Sequence, residues 1–94
     1  MTSEDLDSID RALAELLLSP HDGYPAGARG AALGFNAQIE RERSRVEAAR
    51  RMRAEAGAVA PGLDVELRAA AVMLVAERER VVRRWSIPLR PRAA

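Results

Sequence analysis

The residues best equipped for chemistry lie between Asn36 and Ala56, in NAQIERERSRVEAARRMRAEA. On a helical wheel Phe35, Ile39, Val46, Ala49 and Ala56 form one stripe. Gln38, Glu42 and Arg53 fall on the same stripe, with Arg45 at its edge. A surface helix normally keeps its apolar face free of polar groups. A buried charge is costly unless it is paired or meets a ligand. Either this helix packs loosely, or its polar residues line a site. The planar fork of an arginine suits bidentate binding of carboxylates and phosphates. The structural alternative for Glu42 is an ion pair with a neighbouring arginine, and most of the arginines around it read singly as solvated surface.

Other chemistries are excluded by composition. The chain has 94 residues, no cysteine and one histidine, His21. Disulfides, thiolate metal sites and multi-histidine metal sites within one chain are therefore ruled out, and no metal or cofactor is expected. There is no nucleophile–base pair and no phosphate-binding glycine motif. The longest apolar run, Ala69 to Ala76, is far too short to span a bilayer, and no leader is visible. A cytoplasmic protein without membrane contact is expected.

All fifteen basic residues are arginine, in keeping with codon bias in a GC-rich genome. The net charge of +1 hides an asymmetry: residues 1–22 carry six acids and one arginine, the remainder fourteen arginines and eight acids. Docking of an acidic first helix on the basic rest is predicted, within or between chains.

The pattern predicts an all-α single domain of three helices, over about 4–18, 31–56 and 64–85. Thr2 or Ser3 can cap the first helix, whose apolar stripe is Leu6, Ile9, Leu13, Leu16 and Leu17. Residues 19–30, with two prolines and three glycines, form a loop, read as a connector with a lid as the functional alternative. His21 and Tyr24 read as loop surface. The second helix turns Glu40, Arg43, Glu47, Arg50, Arg51 and Glu55 outward, with Glu47–Arg51 a favourable pair. Asp64 is a candidate cap for the third helix. Ala69–Ala76 is apolar on every side and is expected to be buried all round. Trp85 reads as a packing anchor, and residues 86–94 as an extended tail.

The layout of short motifs resembles the all-α class of chorismate mutases. IDRALAELL at residues 9–17 is similar to that family's opening helix, Arg41-Glu42 to its second-helix arginine–glutamate pair, and Gly62-Leu63-Asp64 to the start of its last helix. The resemblance covers about residues 6–85. It implies an intertwined homodimeric bundle holding chorismate, a dicarboxylate, or a close relative. Rearrangement to prephenate then needs cations for two carboxylates and a donor at the ether oxygen. By resemblance the catalytic residues are Arg29 at the ether oxygen, Arg41, Glu42 at the substrate hydroxyl, and Arg83 at the polar last-helix position usually filled by glutamine or glutamate. Gln38 and Arg45 would bind substrate. The sequence departs from the family at Gln38, where an aspartate is usual, at Pro20, where an arginine is usual, and near Ser3, where the arginine donated across the dimer would fall. Two outcomes are expected from these departures: weak activity alone that rises when a partner orders the loop, or a family member that has lost the reaction. The rival expectation is a non-catalytic helical dimerisation or interaction module. Nucleic-acid binding is a third class, opposed by the alternation of acids with arginines and the scarcity of aromatics.

Overall fold

The computed structural model describes residues 1–19 and 24–89. Pro20 and His21 lie outside the described residues, as does the tail from residue 90. The fold is all-α: α1 (Ser3–Glu15), α2 (Ala28–Ala56) and α3 (Leu63–Trp85). The chain measures 47 × 28 × 18 Å with a radius of gyration of 15.1 Å. A compact domain of this length would have about 12 Å. The molecule is thus a thin slab in which α1 and α3 both lie on the long α2.

Helix α1 starts where its sequence can satisfy its own free N–H groups. Thr2 Oγ1 accepts from the Asp5 N–H at 3.1 Å, and Asp5 Oδ2 accepts from the Thr2 N–H at 2.8 Å. This is a capping box. Leu6, Ile9 and Leu13 are buried, as the stripe predicts. The helix stops at Glu15, three residues short of the expected end. The Asn36 side chain then clamps the departing backbone, accepting from the Leu18 N–H at 2.8 Å and donating to its carbonyl at 2.7 Å. Arg78 Nε donates to the Leu16 carbonyl at 2.9 Å. Backbone polar groups of the segment that leaves α1 are thereby satisfied from α2 and α3. Leu18 turns inward and is buried, while Leu16 and Leu17 are half-buried.

Helix α2 begins at Ala28, three residues earlier than expected, so Arg29 stands in its first turn and not in the loop. Its buried residues are Ala28, Ala32, Phe35, Ile39, Val46 and Ala49, whereas Ala56 is exposed. The flank beside this stripe faces α1. Arg43 Nε meets Asp10 Oδ1 at 3.0 Å, Arg50 Nη1 meets Asp7 Oδ1 at 2.5 Å, and Arg53 Nη1 donates to the Met1 carbonyl at 3.0 Å. The acidic first helix therefore docks on arginines of its own chain. Arg43 and Arg50, expected to point outward, are drawn to α1 by these carboxylates, and the Asp10 hydrogen bond holds the Arg43 guanidinium above its usual pKa. Glu47 pairs with Arg50 at 3.3 Å, not with Arg51.

Gly57, at φ 76°, ends α2 with its N–H on the Arg53 carbonyl at 2.8 Å, a left-handed cap that suits glycine. Gly62, and not Asp64, stands at the cap position of α3, and Asp64 lies in the first turn. Leu67 and Leu74 are buried, with Ala71, Val81, Val82 and Trp85 packed against the core. The expectation that Ala69–Ala76 is buried all round fails: Val72 and Met73 are each 70% exposed and Val75 is 49% exposed. A slab of this thickness offers α3 neighbours on one side only. Trp85 is the expected anchor. Its ring lies where a Cβ on Gly27 would sit 2.6 Å from the indole, and Gly27 has φ 82°. Beyond Trp85, Ser86 in the left-handed region turns the chain and Ile87 is buried.

Gly27→Ala meets both a left-handed backbone and the indole. It should destabilise the fold by about 1–3 kcal/mol in urea unfolding, without lowering the helical content of the folded state. The Thr2 hydrogen bonds hold the Asp5 carboxyl below its ordinary value of 3.8. Its contribution is therefore complete above that value and is lost as pH falls through the lower folded pKa. Asp5→Asn should flatten that acid limb of the stability profile, measured by thermal unfolding between about pH 5 and 2.

Candidate functional site

Helices α2 and α3 run antiparallel and leave a groove of about 470 Å³ between them. Gln38, Arg41 and Glu42 line it from α2, and Met73, Leu74, Glu77 and Arg80 from α3. The spacing explains the grouping. Residues three and four apart share a helix face, so each helix presents one short row to the other. Three of the expected site residues thus meet in one place, and Arg45 stands just beyond them. Arg45 Nη1 donates to both oxygens of Glu42, at 3.0 and 3.3 Å, and Arg45 Nη2 reaches Glu66 Oε2 of α3 at 2.9 Å. Glu42 is 19% exposed at the side chain. The intrahelical ion pair weighed as its structural alternative is present.

Arg80 is engaged too. Its Nε and Nη2 both donate to Glu77 Oε2, at 3.0 and 2.5 Å. Arg41 is exposed and forms no ion pair among the described residues. Arg41 and Arg80 balance Glu42 and Glu77, so the groove lining is neutral. It can hydrogen-bond a hydroxylated or carboxylated molecule, but a second carboxylate would have to draw Arg80 away from Glu77. Among the described residues no group of three or more acidic, histidine or cysteine side chains could hold a metal ion. No helix among them is long and apolar enough to cross a membrane.

Two expected residues are not brought to this groove. Arg29 lies twelve residues before Arg41 on the same helix, about 18 Å along the axis. Arg83 lines a separate depression with Arg84 and Val81, which touches the groove only through Glu77 and Arg80. Glu77 and Arg80 themselves were missed. The signal was present: Leu67, Leu74 and Val81 recur every seven residues and fix the inward phase of α3, which puts Glu77 and Arg80 on its flank.

Comparisons with protein-family models, with curated proteins and with solved structures find no match to this chain.

Proposed function

We propose that this chain is a helical association module, whose working surface is the outer face of α3. One observation carries the reading: Val65, Val72, Met73 and Val75 are 66%, 70%, 70% and 49% exposed on a single helix whose opposite side packs Leu67 and Leu74 into the core. Scattered apolar residues on a surface need no explanation, but a contiguous apolar helix face points to a partner. The groove beside it supports the same reading. Its arginines are largely neutralised by its own glutamates, so it offers an anion little net attraction. The cytoplasmic setting expected from the sequence remains part of the proposal.

If the face serves association and not the chain's own core, Val72→Asp should leave the stability of the dilute chain within about 0.5 kcal/mol of the parent. Urea unfolding at the lowest workable concentration measures this. A loss of more than about 2 kcal/mol there would make Val72 a core residue and end the reading.

A second reading rests on a different observation, the meeting of Gln38, Arg41 and Glu42 in one groove with Glu77. That set is compatible with a chorismate mutase-like site, with Glu77 in place of Arg83 at the polar last-helix position and with Arg29 remote. In this reading Glu42 holds the substrate hydroxyl, while Arg41 and Arg80 hold carboxylates. Activity is low in the isolated chain because the groove is open along one side, so water screens its charges, and a partner that closes it raises the rate. Chorismate should then decay faster with the protein than in buffer, and Glu42→Ala or Arg41→Ala should abolish the excess. Decay at the buffer rate, with or without partner enzymes added, discards this second reading.

A further inference from the structure

We propose that the occupant of the α3 face is a second copy of this chain, packed antiparallel along α3 with the two helix midpoints opposed. The proposal rests on the association reading and names its partner. Val65, Ala69, Val72 and Ala76 follow one another at steps of four, three and four residues, the spacing of a seam between two helices, and the same steps continue to the exposed Glu79 and Arg83, which in this register lie beside the second copy's Ala69 and Val65. The two alanines let the backbones approach closely. Met73 and Val75 flank the seam at its middle, where a two-fold axis sets each beside its own copy.

The ends of α3 carry opposite charges. Asp64 and Glu66 stand in the first turn, and Arg83 and Arg84 in the last. In one chain the two ends lie about 30 Å apart and cannot meet. An antiparallel copy brings them together at both ends of the seam. Asp64 falls opposite the second copy's Arg83 and Arg84, Glu66 opposite its Arg80, and Arg68 opposite its Glu79. Asp64, Glu79 and Arg83 form no ion pair among the described residues of one chain and are available, whereas Glu66, Arg68 and Arg80 hold Arg45, Asp5 and Glu77 and would share those pairs across the seam. A parallel copy would set Asp64 beside Asp64 and Arg83 beside Arg83, which like-charge repulsion disfavours. The helix dipoles add in the same sense. The contact leaves α1 where it is, because Leu6, Ile9 and Leu13 are already buried within one chain.

The test uses the full chain, which has no cysteine of its own. Light scattering at tens of micromolar should give twice the chain mass, and Val72→Asp should weaken the dimer at least about a hundredfold by placing a charge in the seam. Register and direction are read by disulfide trapping. An equal mixture of Val72→Cys and Ala76→Cys chains should cross-link to each other, found by mass spectrometry as a 72–76 bridge, while each variant alone links poorly. Circular dichroism checks that both variants fold. Efficient linking of each variant to itself would show a parallel pair and overturn the proposal. So would a monomer at hundreds of micromolar, or protection of the α3 face from hydrogen exchange only on addition of an unrelated protein. Those last two outcomes leave the association reading standing, because that reading is judged by the stability of dilute Val72→Asp.

Discussion

Helix α2 has one narrow apolar stripe and two helices to hold with it. Everything else in the chain follows from how that stripe is shared. Ala28, Ala32 and Ala49 are fully buried at its two ends, where small side chains let neighbours come close, and Phe35, Ile39 and Val46 fill the middle. The stripe is too narrow to cover both contacts, so each contact is completed by polar residues on the flank. On the α1 side these are Asn36, Arg43 and Arg50, seven residues apart, which bind the Leu18 backbone, Asp10 and Asp7 in turn. Partly exposed pairs of this kind contribute little each. Their effect is on register, since sliding α1 by one turn breaks all three together.

On the α3 side the flank is less complete. Gln38, Arg41 and Glu42 meet Glu77 and Arg80 across an open groove, which Arg45 bridges at one end through Glu66. The same arrangement that leaves this groove open leaves the far side of α3 apolar and bare. Three helices on one scaffold make a layer, and the face of a layer needs a second layer to bury it. The bare α3 face and the open groove are thus two results of one geometric shortage.

The helices, the α1 stripe, the docking of acids on arginines and the anchoring by Trp85 were all legible in the sequence, because each rests on local periodicity or on charge that is visible along the chain. The error at Ala69–Ala76 has a different origin. A run of apolar residues shows that a helix face wants cover, but not whether its own chain supplies it. The outward assignment of Arg43 and Arg50 failed for a related reason: a wheel gives the phase of one helix, and the position of Asp7 and Asp10 depends on the antiparallel packing of two. Glu42 stands out in the sequence for lying on the apolar stripe, and its ion pair with Arg45 is one of the two readings it admitted. Arg29 and Arg83 were chosen by linear spacing to a resemblance. The axial rise of α2 carries the first away, and the outward phase of α3 the second.

The contact between Gly27 and Trp85 has a consequence for how the chain assembles. α1 and α2 adjoin in sequence, and so do α2 and α3, so each pair can meet by closing a short connection. The indole reaches Gly27 across 58 residues of chain. The entropy of closing a loop rises only slowly with its length, and the two helix pairings have already shortened the effective span. Trp85 therefore closes the end of the α2–α3 pair farthest from their connection, against a position where a side chain larger than glycine's would meet the indole.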